Sequence, residues 1–523
     1  MPALSSSPCP ASGPGRQRLR AVPWLVAALI AVPLPAAAQF RGVDGLVRAY
    51  DAILDADFDR AQRLIDAACP PAPEPACRVL EATRLLWRIQ IDPEQQAHDA
   101  AFTEAVEAAI EATEAFAEAE PDSAEAAFYV GAAYAARVQW KVLRREPVSA
   151  ARDGKRVKEA LDRALELAPD MVDAQFGLGL YEYYAAQAPT LARFLRVLLM
   201  LPGGNRERGL ARMQETRRQG VLLADEATYQ LHLVYLWYEK RPKDALALLR
   251  ELVSRHPANP YFRRLVADTL DTYFHDDAGS LAAARDLLAR ARAGTVHERD
   301  LAENEARLRI AQQLDAMGDT DLAVAELTHL LGRNPQRPWA ATRRAQLLLG
   351  RAYDRLGEWS KAEALFEAVA SGEDDPLGLR DQARRALRNP TPFSKGEAHR
   401  LALEAWRAFE RDARAPVLPQ FERALTLDPQ NGVARYRYAR ALDENGQPER
   451  AIAELERLLR SPGRTPATTL ADAALFAAHL YERAENPDAA ARLYRRAAET
   501  FGGSAETRTA ARRGLERLAR VTR

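Results

Sequence analysis

Lysine is scarce in this sequence: seven of its 73 basic residues are Lys and all the others are Arg. The basic residues only equal the 73 acidic ones, so the formal net charge is zero. A chain with no positive excess lacks the basic face that nucleic-acid binding requires, and no nucleic-acid partner is expected. Aromatic residues make up 7% of the chain, and no stretch shows sustained strand alternation, so sheet architectures have no support. Beyond residue 38 no apolar run reaches the ~20 residues that a membrane-spanning helix needs. Signatures of catalysis are missing as well. There is no phosphate-binding Gly-x4-Gly-Lys-Ser/Thr, no His-Glu-x2-His, no Gly-x-Ser-x-Gly and no Cys-x2-Cys. None of the eight His residues is spaced with another as a helical metal pair. Gly177-x-Gly179 lacks a third glycine and continues a helical pattern, and His275-Asp276-Asp277 reads as a helix end before Gly279. The sequence therefore nominates no catalytic, cofactor-binding or metal-binding residue, and no cofactor is expected.

What is present is length, helix-forming composition and a leader. At 523 residues the chain exceeds the ~250–300 that one compact core accommodates, so it is multi-domain or a repeat array. An apolar fraction of 47% with 28% charged residues fits a folded chain rich in Ala, Leu, Arg and Glu. Arg16, Arg18 and Arg20 precede an uncharged stretch from Ala21 to Ala38 that ends in Ala36-Ala37-Ala38. A basic n-region, a short apolar core and a small-residue site predict a secretory signal peptide cleaved near Ala38. An uncleaved membrane anchor is the alternative. The predicted location is periplasmic or secreted, and an oxidising compartment predicts a disulfide between Cys69 and Cys77.

From about Asp122 onward, helical apolar periodicity recurs in segments of some 12–18 residues, separated by Pro, Gly or Asn. Three segments align on small residues. Gly350, Tyr353, Ala362, Phe366 and Val369 form one set, and Ala439, Leu442, Ala451, Leu455 and Leu458 form the second. The third is Ala478, Tyr481, Ala490, Tyr494 and Ala497. Upstream, Ala245-Leu249-Leu252-Pro257 and Ala323-Leu327-Leu330-Pro335 repeat the second half of the spacing, as do Val157-Leu161-Ala164-Pro169 and Val417-Phe421-Ala424-Pro429. Small residues let two antiparallel helices approach, larger ones fill the seam, and proline ends the second helix.

This spacing resembles the tetratricopeptide repeat, a helix–turn–helix unit of about 34 residues. The likeness is strong over 343–376, 432–465 and 471–504, although Ala451 to Ala490 is 39 residues and the period is irregular. The resemblance implies an all-α, right-handed superhelical α-solenoid of helical hairpins. A second likeness covers roughly 172–262. Phe176-Gly177-Leu178-Gly179-Leu180-Tyr181-Glu182-Tyr183-Tyr184 and Leu198 to Leu210 are similar to bacterial relatives of the tetratricopeptide-repeat-39/Iml2 family. That family implies a non-enzymatic solenoid, although Asn205 stands where its turn has Asp.

The breakers divide the chain into a signal peptide (1–38), N-terminal hairpins with the Cys pair (39–120), a first array (121–388), a loop or hinge (389–396) and C-terminal repeats (397–523). The tetratricopeptide pattern places Arg344, Arg351 and Arg355, then Tyr436 and Arg440, on the groove-facing side of the first helices. Leu475 and His479 follow in the next unit. A cationic strip with an aromatic anchor suits a protein or peptide partner carrying acidic and apolar side chains. The amphipathic stretch 191–201 either packs as a helix or makes peripheral membrane contact. The expected function is a non-enzymatic exported scaffold; a membrane-associated envelope factor and an envelope hydrolase are the alternatives.

Overall fold

Helix-breaking residues delimit the elements. Prolines open the helices Pro147–Leu167, Pro242–Arg255, Pro260–Phe274, Pro448–Arg460 and Pro487–Glu499, where a missing N–H costs nothing. Pro169, Pro257, Pro335 and Pro429 each follow the end of a helix by two or three residues. Glycines Gly357 and Gly446 take positive φ in the turns inside two hairpins, a conformation that a β-carbon disfavours. The computed structural model describes residues 40–187, 203–372 and 375–521. Among them are 24 α-helices, one π-helical turn over Val234–Tyr238 and no strand.

Twenty-two of these helices pair into eleven antiparallel hairpins, and the single helices Leu379–Arg388 and Ala505–Val521 pack on Trp359–Ala370 and Pro487–Glu499. The three segments aligned from sequence are the hairpins Ala341–Arg355 with Trp359–Ala370, Gly432–Glu444 with Pro448–Arg460, and Ala467–Arg483 with Pro487–Glu499. Their small residues sit at the seams. Ala362, Ala439, Ala451, Ala478 and Ala490 are fully buried, and Gly350 faces the ring of Phe366. Four hairpins escaped the alignment: the two N-terminal ones, Val172–Gln187 with Arg206–Gln219, and Pro260–Phe274 with Asp277–Ala293. The last of these shows why. There the small seam position is Ser280, buried and donating its hydroxyl to the Ala267 carbonyl at 2.9 Å. Its turn is the His275-Asp276-Asp277 cluster. His275 adopts positive φ after the first helix, and Asp276 caps the second by accepting from Gly279 N–H.

Cys69 and Cys77 are joined in a disulfide (Sγ–Sγ 2.06 Å) that ties the end of Phe58–Ala68 to the start of Glu74–Ile91. Gly177 and Gly179 lie inside the helix Val172–Gln187, where Gly179 packs on the backbone of Gly209 in Arg206–Gln219. The break after Arg388 is short: Phe393–Arg411 is already helical, and Asp354 accepts from both N–H and hydroxyl of Thr391 in the connector. The expected signal peptide (1–38) and the amphipathic stretch 191–201 lie outside the described residues. Among the described residues no helix is long and apolar enough to cross a membrane.

Stacked hairpins ordinarily touch only their neighbours. In residues 40–521 distant hairpins also meet. The N-terminal hairpins reach the loops that precede later first helices: Asn259 donates to the Leu54 carbonyl at 2.6 Å, and Asp92 accepts from the Trp339 N–H at 3.1 Å. The C-terminal hairpins reach the turns inside the middle ones. Arg437 donates to the Gly318 carbonyl and to Asp319, Arg407 pairs with Asp319 and Asp321, and the His275 and Phe501 rings meet edge to face.

Candidate binding face

Three first helices carry a ladder of charges from one hairpin to the next: Pro260–Phe274, Arg299–Ala316 and Ala341–Arg355. Arg344 grips Glu305 with both terminal nitrogens, at 3.0 and 3.1 Å, and Arg264 approaches the same carboxylate from the other side at 3.4 Å. Glu305 is 7% exposed. Burial alone pushes its carboxyl upward, but the two guanidinium groups outweigh it and hold the pKa at about 2. Lower on the same helices Arg309 pairs with Asp268 and Asp271, Gln313 donates to Asp271 at 2.9 Å, and Arg355 pairs with Asp315 at 3.1 Å.

This arrangement divides the residues expected to form a cationic strip. Arg344 is half-buried and committed to Glu305, and exposed Arg355 is paired with Asp315. Arg351 is exposed, and its hydrogen-bond partner is the neutral side chain of Gln382 at 2.8 Å. Burial of part of its guanidinium, together with the nearby Arg385, lowers its pKa against the pull of Asp315. Tyr436 and Arg440 stand together on Gly432–Glu444. Arg440 leans over the Phe476 ring at 5.4 Å and points at the Tyr436 hydroxyl at 3.4 Å. Burial, with Asp472 adding to it, raises the Tyr436 hydroxyl above its ordinary value. Among the described residues neither Arg351 nor Arg440 has a carboxylate oxygen within ion-pairing distance, unlike Arg344 and Arg355. Arg440 is half-buried, where full exposure was expected, because Phe476 of the next hairpin covers its stem.

Glu305, Asp315 and Gln382 were not singled out from sequence. A signal for the acids exists: Glu305 precedes Arg344 by 39 residues and Asp315 precedes Arg355 by 40, one lengthened repeat in each case. Residues at equivalent register in successive first helices face each other. Leu475 remains half-buried beside the same hairpin, whereas the His479 ring packs on Tyr494 at 5.5 Å. Asn304, inside the helix Arg299–Ala316, is buried and donates to the Arg337 carbonyl. Among the described residues no group of three or more His, Cys, Asp or Glu side chains is arranged to hold a metal ion.

Comparisons with known proteins agree on the repeat. Two family profiles described as tetratricopeptide repeat match, at residues 344–371 and 413–467, which are the hairpin carrying Arg351 and the region carrying Tyr436 and Arg440. No curated protein matches the sequence. Among solved structures, a tetratricopeptide repeat protein from Parabacteroides merdae is 15% identical over 57% of this chain and 99% of its own, with a TM-score of 0.25. The tetratricopeptide domain of P58(IPK) is 14% identical over 85% and 98%, with a TM-score of 0.27. Yeast Tom70 is 11% identical over 92% and 96%, with a TM-score of 0.26. Scores this low support no argument about coiling or partners. The chain carries tetratricopeptide repeats in an all-helical solenoid.

Proposed function

We propose that this protein is a non-enzymatic scaffold, exported from the cytoplasm, that holds a segment of another protein along the first-helix face of its repeats. The observation that carries the reading is the uneven pairing of the arginines. The chain neutralises Arg344 and Arg355 with its own Glu305 and Asp315, yet among the described residues Arg351 meets a neutral amide and Arg440 a phenol and a ring. A guanidinium without a carboxylate is a vacancy for one, because a bidentate pair fixes both position and orientation of the incoming group. Tyr436, Phe476 and Leu475 beside Arg440 supply apolar surface. The partner segment therefore combines acidic and apolar side chains, the combination that aromatic and arginine anchors select. Export is supported by the basic and apolar N-terminal sequence and by the Cys69–Cys77 pairing. The likeness of residues 172–262 to relatives of the tetratricopeptide-repeat-39/Iml2 family points to the same non-enzymatic class.

The test uses the full chain as bait in an envelope extract, with the captured protein identified and its binding remeasured in purified form. Arg351→Glu with Arg440→Glu is expected to weaken binding at least about tenfold, the order of one charge-assisted hydrogen bond to each arginine. Helicity and melting should be unchanged. Residual binding should respond less to salt, since screened charge pairs are gone. Full binding by the double variant would place the partner on another face.

A further inference from the structure

The first five hairpins enclose a chamber. Its walls come mainly from five first helices, Val43–Leu54, Glu74–Ile91, Ala124–Leu143, Val172–Gln187 and Ala224–Leu233, with Leu161 of Pro147–Leu167 and Leu222 and Leu223 of the loop before Ala224. The volume is about 110 Å³, and the lining is apolar almost throughout, with Leu46, Val79, Phe128, Phe176, Leu180 and Leu223 among the walls. Alanines at 76, 132, 135 and 136 stand where bulkier side chains would fill the space. The chamber has a closed end and an open one. Tyr50, Trp87 and Glu226 at the floor are buried, whereas Leu80, Thr83, Ala135, Gln139 and Leu180 at the rim are half-exposed.

The two carboxylates of the wall are already hydrogen-bonded. Glu226 accepts from the Tyr50 hydroxyl at 2.9 Å and from Gln230 at 3.0 Å. Asp173 accepts three backbone N–H groups, from Val221, Leu222 and Leu223, at 2.7–2.9 Å. A peptide entering this chamber would bring an N–H and a C=O group at every residue into a mostly apolar wall with few free partners, Gln139 among them, which is costly. A charged group would fare worse at a floor where burial already raises the Glu226 carboxyl above its ordinary value. A saturated hydrocarbon chain brings neither. An enclosed apolar cavity of about 150 Å³ takes a guest the size of benzene, so this smaller, open-ended chamber can seat the terminal few carbons of a chain, the rest lying along the half-exposed rim. At the rim, Gln139 makes no side-chain hydrogen bond among the described residues and can meet a polar head group.

We propose that the chamber is a binding site for the unbranched hydrocarbon tail of a small amphiphile, its end seated against Trp87 and its head group at the rim beside Gln139. The site lies on the N-terminal hairpins and is separate from Arg351 and Arg440, so it stands or falls independently of the scaffold reading.

The experiment titrates the full chain with decanoate below its micelle concentration by calorimetry, and with 10-bromodecanoate by tryptophan fluorescence. Decanoate should bind, and the terminal bromine should quench emission that is absent in Trp87→Phe. Ala132→Leu with Ala135→Leu fills the chamber and is expected to weaken decanoate binding about tenfold while leaving melting unchanged or raised, since two or more methylenes are displaced from apolar contact. Should the filled variant fail to fold, the bromine arm decides alone. Absence of decanoate binding, binding without loss of Trp87 emission, or unaltered binding by a folded filled variant would each overturn the proposal. Displacement of decanoate by an acetylated leucine-rich peptide would also do so, because it would give the chamber to a protein segment.

Discussion

Asp55 and His256 are 201 residues apart in sequence, and a carboxylate oxygen of the first lies 3.1 Å from Nδ1 of the second. Asp225 faces the other ring nitrogen at 3.0 Å. Both nitrogens therefore donate, and the ring is an imidazolium held between two carboxylates. Burial opposes the charge, but the hydrogen bonds to Asp225 and Asp55 outweigh it and raise the pKa to about 9.

The pH dependence follows from that direction. A ring that titrates near 9 when folded and near 6.5 when free contributes stability that is complete below pH 6.5 and lost as pH rises through 9. The contribution is about 3 kcal/mol at most. Urea midpoints should fall between pH 6.5 and 9 in the native sequence. In His256→Gln the midpoint should be lower at pH 6 and nearly level across that interval. A native midpoint that does not move between these values would refute the bridge.

Glu305→Gln is expected to destabilise the fold by about 3 kcal/mol, since Arg264 and Arg344 would lose the one carboxylate that both contact, leaving only the more distant Asp268 and Asp92. Replacing Arg344 by Met in the same chain should recover part of the loss, as the two changes are coupled. Because the Glu305 carboxyl is held at about 2, its contribution is complete above the ordinary 4.5 and disappears as pH falls through 2. Thermal melts of both variants at pH 7 and pH 3 measure this, and equal melting of E305Q and the native chain at pH 7 would be the contrary result.

Gly209 and Gly154 should respond oppositely to alanine. A β-carbon at Gly209 would lie 2.6 Å from the Gly179 carbonyl oxygen and 2.8 Å from the Tyr183 nitrogen, both backbone atoms. The two helices must separate, at a cost of about 1–3 kcal/mol. At Gly154 nothing lies within 4 Å, and the position is inside the helix Pro147–Leu167, so alanine should add roughly 0.5–1 kcal/mol. Denaturant midpoints of the two variants should shift in opposite directions.

Alkylation of native protein without reductant should label neither Cys69 nor Cys77. Reduction should lower stability by about 2 kcal/mol, because the residues are eight apart and the loop closed is short. Labelling of both thiols in freshly isolated protein would contradict the pairing.

Three hairpins were legible from small residues at the repeat spacing, whereas Gly179 and Gly209 meet at a seam outside that spacing and did not report theirs. Gly350, Ala439 and Ala478 reported their first helices, and Pro257, Pro335 and Pro429 reported the ends of second ones. Ser280 was silent because a hydroxyl at a seam looks like a surface residue until the Ala267 carbonyl is beside it. The binding face was half legible. Register along one helix nominates Arg351 and Arg440 as groove-facing, but whether an arginine is neutralised internally depends on the helix one repeat earlier. Periods of 39 and 40 residues for the Arg344 and Arg355 pairs, in place of about 34, hid those partners. Contacts such as Tyr50 with Glu226 depend on how far the whole stack has turned, which no local pattern encodes.

The long-range contacts at both edges of the middle hairpins set a counting rule for this chain. Asp55 finds His256, Asp92 finds Trp339, and Asp319 finds Arg437 only because a fixed number of hairpins separates each pair. Open solenoids grow and shrink by whole units with little penalty, since each unit answers only to its neighbours. Here a duplicated or deleted hairpin between residues 92 and 256 would carry Asp55 and His256 out of phase, and Asp92 and Trp339 with them. The molecule behaves less like a string of beads than like a thread cut to a nut, so its length is inherited as a whole number of turns.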